Sequence, residues 1–137
     1  MSAELAHAAF ARFAAALNRG RDADALRAAV TDDIEVQRHA PGGRDAPGPM
    51  VEAFAGFAEV ERWILRMPPV ITFSLAGAAQ PAGGQWKIEY AYEIRNHASF
   101  RNGGVWVAAL AGDGRITWLA HRPFALTASE PPAAAAR

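Results

Sequence analysis

The sequence predicts an α+β domain in which a curved antiparallel sheet wraps over N-terminal helices as a cone-shaped barrel with one open end. Three observations predict it. Apolar residues recur at helical spacing through the first thirty positions, and they alternate at a period of two through most of the second half. Gly- and Pro-rich stretches divide the segments, as turns do. Helices first and strands afterwards is the α+β order. With 137 residues there is room for one domain with a real core and too little for two. The expected unit is 1–126, followed by a flexible tail over 127–137, where "TASEPPAAAAR" has no periodic apolar face.

The elements follow in order. "SAELAHAAFARFAAALNRG" is an amphipathic helix: Ser2 caps it, Glu4 suits the positive end of the dipole, and Asn18-Arg19-Gly20 stops it. Ala6, Phe10, Phe13, Ala14 and Leu17 form its apolar face. A second, shorter helix is capped by Asp22 or Asp24 and buries Leu26, Ala29 and Val30, after which Thr31-Asp32-Asp33 turns into a strand, "IEVQRH". The stretch from Pro41 to Pro49 holds three Pro and three Gly and is read as a loop. A short strand over 51–55 precedes a helix from Phe57 to about Met67, ended by Pro68-Pro69. Then "VITFSLAGA", "QWKIEYAYEIRN", "GVWVAALAG" and "RITWLAHRPF" read as strands, divided by "QPAGG", "RNGG" and "GDG". In the second strand Ile88, Tyr90, Tyr92 and Ile94 share one face, and Lys87, Glu89, Glu93 and Arg95 the other. On the last strand the same alternation turns Thr117, Leu119 and His121 inward, and Ile116 and Trp118 outward.

Composition removes several functional classes. Lys plus Arg equals Asp plus Glu at 14 each, so no net field gathers phosphate backbones, and no nucleic-acid partner is expected. No apolar run approaches the ~20 residues of a membrane span, and no basic leader precedes Glu4, so no membrane partner is expected and the cytoplasm is the expected location. Cysteine is absent, which excludes disulfides and thiolate metal sites. The four histidines show no HxH or HxxxH spacing, so no metal and no other cofactor is expected.

The opening helix with "AALNRG", the short second helix, "TDDIEVQRHAPG", the helix "GFAEVERWILRMPP" and the closing "GDGRITWLAHRPF" together resemble the nuclear transport factor 2-like superfamily, closest to its SnoaL-like branch. The likeness runs over about residues 3–124 and rests on the order of elements. It implies a cone with a deep apolar pocket and a homodimer through the outer sheet face, and its members range from polyketide cyclases and ketosteroid isomerases to proteins without chemistry. The isomerase residues do not carry over. Phe13 stands at the tyrosine position, Arg38 at the base position, and Trp106 near the acid that completes the oxyanion hole. A phenyl ring donates no hydrogen bond, and an arginine abstracts no proton near neutral pH.

Candidate site residues combine the side chains that alternation turns into the cone with Arg38, which the resemblance places at the base position, and His39, which reaches the pocket if the Pro41 turn twists the strand end. His121 is the candidate proton carrier, because imidazole titrates near neutrality. Arg38 is the candidate to polarise a carbonyl or hold an anionic oxygen. Phe13, His39, Trp63, Phe73, Tyr90, Tyr92 and Trp106 are candidate ligand contacts, suited to a small hydrophobic or aromatic molecule. Two readings follow: a cofactor-independent cyclase or isomerase acting on a small cyclic or polyketide-like carbonyl compound, or a non-catalytic binding or accessory homodimer with the same pocket.

Overall fold

The computed structural model describes residues 1–19, 22–95 and 101–126. Its elements are α1 (Ala3–Arg19), α2 (Ala23–Ala29), β1 (Val30–His39), β2 (Met50–Ala55), α3 (Phe57–Arg66), β3 (Ile71–Leu75), β4 (Gln80–Ala82), β5 (Gln85–Ile94), β6 (Arg101–Leu110) and β7 (Ile116–Pro123). The strands form one curved, open sheet in the order β2-β1-β7-β6-β5-β3, with β4 paired to β5. The expected tail over 127–137 and the turn around His97 lie outside the described residues.

Ser2 caps α1, its hydroxyl accepting from Leu5 N at 3.2 Å. The helix lays Phe10, Phe13 and Leu17 on the inner face of the sheet. Fully burying each such side chain contributes about 1.5–3 kcal/mol. Its C-terminal end is fastened to β3 by Asn18, whose Nδ2 donates to Phe73 O at 2.9 Å while its Oδ1 accepts from Phe73 N at 2.7 Å. The side-chain amide thus completes an edge-strand peptide as a neighbouring strand would. Asn18→Ala is expected to cost about 1–3 kcal/mol, since it removes both bonds at once; urea denaturation measures it.

Two local readings are corrected, and the choice left open for the cap of α2 is decided. Thr31-Asp32-Asp33 is not a turn: Val30 is already extended (φ −132°, ψ 155°), and α2 runs straight into β1. Asp22 is the cap of α2, accepting from Ala25 N at 3.1 Å. The stretch "QPAGG" is more than a divider, because Gln80–Ala82 is a strand and Gly83 and Gly84, both at positive φ, make its two-residue turn into β5.

The sheet also departs from pure antiparallel pairing. β1 and β7 run parallel, with Arg38 opposite His121, because the closing strand enters between β1 and β6 in the direction of β1. On β7, Trp118 pairs with Ala109 and Ile116 with Leu110, which leaves Thr117 as an extra residue. That bulge resets the alternation. Ile116 and Leu119 are both fully buried in the core, whereas strict alternation turned Ile116 outward. Trp118 remains outside the core cluster, half-buried beside Ala109 and Glu35.

Candidate functional site

The interior of the cone is a continuous column of rings. Arg66 lies over Phe54 (5.5 Å to the ring centre), and Phe54 stacks on Trp63 at 5.5 Å. Trp63 meets the edge of His121 at 5.4 Å, and His121 stacks on Tyr90 at 5.2 Å. Tyr90 stacks on Trp106 at 4.5 Å, and Trp106 packs on Phe13 (5.1 Å), Phe73 (6.1 Å) and Phe10 (6.4 Å). Tyr92 joins from the side through Phe73 at 5.9 Å. The strand register lines these rings up: Trp106 is opposite both Ile88 and His121, and Phe73 is opposite Tyr92.

Four polar atoms are wired inside this column. The indole Nε1 of Trp106 can only donate, and it reaches His121 Nδ1 at 3.0 Å. Nδ1 is therefore the unprotonated nitrogen, and Nε2 carries the hydrogen toward the Tyr90 hydroxyl oxygen at 3.3 Å. Burial disfavours the imidazolium first, the Arg38 guanidinium second and His39 third, and together they push His121 down to about 3. Burial, with Tyr92 beside it, likewise drives the Tyr90 phenol above its ordinary range. At neutral pH both groups are uncharged and satisfied by each other.

Glycine makes room for the pair. A Cβ on Gly104 would stand 2.5 Å from the Tyr90 hydroxyl and 2.4 Å from Arg122 O.

Charge gathers at the open end. Arg38 Nε donates to Glu52 Oε1 at 2.9 Å, and Arg66 Nη2 donates to the same oxygen at 3.0 Å. Glu52 is held below the usual carboxylate range, by Arg66 first and Arg38 second. Beside this triad a cleft of about 420 Å³ is lined by Phe54, Glu59, Arg62, Trp63, Leu65 and Arg66. Glu59 is committed to the start of α3, where it accepts from Ala55 N at 2.8 Å. Arg62 has no ion pair among the described residues and is the free cation at the rim.

The candidate residues therefore separate. His121, Tyr90, Trp106, Phe73 and Phe13 are together and enclosed; Trp63 links them to the cleft, and Arg38 stands at the rim beside His121. His39 is elsewhere in role: its Nδ1 donates to Gly48 O at 2.8 Å, holding the 40–49 loop, and its Nε2 is buried without a partner among the described residues. Glu52, Phe54 and Arg66 were not singled out from sequence. Nothing local marks Glu52 as the partner of Arg38 fourteen positions away; only the β1–β2 register, Arg38 opposite Glu52, brings them together. Among the described residues no group of three His, Asp or Glu side chains is placed to hold a metal ion.

No family model matches the sequence, and no curated protein is similar to it by sequence. Solved structures are similar in fold. A protein assigned to the SnoaL-like isomerase family from Agrobacterium tumefaciens superimposes with a TM-score of 0.66 at 16% identity, over 88% of this chain and 98% of its own. One assigned as a ketosteroid isomerase from Kribbella flavida gives 0.65 at 18%, over 94% and 83%. An epoxide hydrolase of the LEH-like type from M. tuberculosis gives 0.54 at 21%, over 88% and 83%. With its helices cradled by a curved, open sheet in this strand order, the chain has the fold of the nuclear transport factor 2-like proteins.

Proposed function

We propose that this protein binds a small, flat, partly apolar molecule bearing a carbonyl or anionic oxygen, at the mouth of the cone and without a metal or redox cofactor. The observation that carries the reading is the end of the aromatic column. Phe54 and Trp63 line one side of the cleft, Arg62 and Arg66 supply donors on it, and Arg38 stands behind them through the carboxylate of Glu52 that it shares with Arg66. Binding, rather than proton transfer through His121, is the reading the site favours. In a neutral imidazole with both nitrogens occupied, the one proton is already given to Tyr90 and the one lone pair is already taken by Trp106.

One observation favours a second reading, a cofactor-independent isomerase or cyclase: Arg38 and His121 are register neighbours, so an oxygen held by Arg38 would lie near the imidazole. Arg38→Ala separates the alternatives. Loss of a charge-assisted hydrogen bond is expected to weaken binding of a flat aromatic carboxylate such as 2-naphthoate by about tenfold or more, read by calorimetric titration. The melting temperature is expected to move little, because the pair with Glu52 is solvent-facing. A collapse of the melting temperature with binding unchanged would make Arg38 a structural ion-pair partner and sink the proposal. In the catalytic reading, turnover on a cyclic ketone substrate would fall with His121→Asn while binding stayed.

A homodimer through the outer sheet face is proposed as well, on the half-buried Trp118 and the apolar row Val105, Val107 and Ala109. Light scattering at micromolar concentration is expected to return twice the chain mass of 14.6 kDa; the chain mass itself would refute it.

A further inference from the structure

The 40–49 loop does not hang free at the sheet end. Ala40 N donates to Pro49 O, Gly42 N to Pro123 O and Ala125 N to Gly42 O, each at 2.8–2.9 Å, which ties the loop back onto the end of β7. Two close approaches keep it tight: a Cβ on Gly42 would meet Gly48 N, and one on Gly48 would meet Ala40 O, both at 2.3 Å. The loop's Arg44 then reaches across to Glu89 and covers the Phe124 ring at 4.6 Å. Between loop and sheet is a cavity of about 480 Å³, larger than the cleft at the mouth and lined by none of the column residues Trp63, Tyr90, Trp106 or His121.

Its charges are unevenly matched. Val105 and Val107 form an apolar floor, with Lys87 and Arg122 projecting beside them. Arg44 and Glu89 neutralise each other. Lys87 and Arg122 have no ion pair among the described residues, and the buried Nε of Arg122 has no hydrogen-bond partner there. Asp45 on the loop is the remaining carboxylate. A buried guanidinium donor without an acceptor is costly unless something supplies one.

We propose that this outer-face cavity is a second binding site, for a small organic anion carrying a phosphate or carboxylate group, held by Arg122 and Lys87 on the valine floor. It is independent of the mouth, but its floor shares Val105 and Val107 with the face proposed for the dimer, so a dimer that buries those valines excludes it. Calorimetric titration of the full-length protein with inorganic phosphate and, separately, succinate at low ionic strength tests it. Saturable binding of at least one is expected, with phosphate or succinate preference naming the anion class. Arg122→Gln is expected to weaken it by about tenfold or more, Lys87→Gln to weaken it less, and Asp45→Asn to tighten it by removing a repelling charge. Naphthoate binding at the mouth is expected to be unchanged in Arg122→Gln and Lys87→Gln. If Arg122→Gln fails to fold, the exposed Lys87 decides. Absence of saturable binding for both anions, or an affinity unmoved by both Lys87→Gln and Asp45→Asn, overturns the proposal; so does a dimer whose second subunit closes the cavity to both anions.

Discussion

Trp106→Ala is expected to destabilise the protein by about 3–5 kcal/mol, the range for truncating a fully buried large aromatic. Trp106 is the hub of the column: it touches Phe10, Phe13, Phe73 and Tyr90 and donates to His121. Removing it opens a cavity between α1 and the sheet and strands the His121 lone pair. Against a total stability of ~5–15 kcal/mol such a loss is a large fraction. Trp106→Phe separates the two contributions. It keeps most of the packing and deletes the donor, so its cost is expected near the ~1–3 kcal/mol of one unsatisfied buried acceptor. Urea unfolding followed by near-ultraviolet dichroism measures both. Equal, small effects for the two variants would mean that the column is not the core of the fold.

The second large effect is acid lability. His121 is pushed down to about 3 in the folded protein from an ordinary 6.5 in the unfolded chain. Below 6.5 the unfolded chain therefore takes up a proton that the folded one refuses. Stability due to this group is fully present above pH 6.5 and is lost as pH falls toward 3, at up to ~1.4 kcal/mol per pH unit. The diagnostic part of that window lies above ~4.5, before most carboxylates titrate. His121→Gln is expected to flatten the slope there while leaving stability above pH 6.5 lower than the parent's, because the bonds to Trp106 and Tyr90 are disturbed. An unchanged slope in His121→Gln would assign the acid sensitivity to another group.

Much of the fold was legible because periodicity is a local property. The face shared by Phe10, Phe13 and Leu17, and the alternation of Ile88, Tyr90 and Tyr92, need no knowledge of neighbours, and both hold in the structure. What was not legible depends on pairing. The extra residue at Thr117 exists only against Ala109 and Leu110 on β6, so Ile116 could not be placed inward from its own strand. The direct passage from α2 into β1 was hidden by Asp32 and Asp33, which resemble turn residues and are both exposed where β1 shifts register against β7 between Val30 and Glu35.

The site was legible as a set of residue types and not as an arrangement. His121 with Tyr90 reads from sequence equally as a proton relay or as a satisfied core pair, and the indole donor of Trp106 is what chooses the tautomer. The rim was less visible still. Arg38 reads as a free cation until the β1–β2 register sets Glu52 opposite it, and Arg66 arrives from α3 to share that carboxylate.

The central claim is that His121 is a neutral structural member of the column and that ligand chemistry occurs at the mouth. Nitrogen NMR of the His121 ring, followed from pH 7.5 down to 5 with and without 2-naphthoate, tests it most directly. The ring is expected to stay neutral with hydrogen on Nε2 throughout, indifferent to the carboxylate, because burial lowers it well below its ordinary 6.5. A ring that titrates near 6.5, or that changes tautomer when 2-naphthoate binds, would contradict it and return His121 to the role of proton carrier.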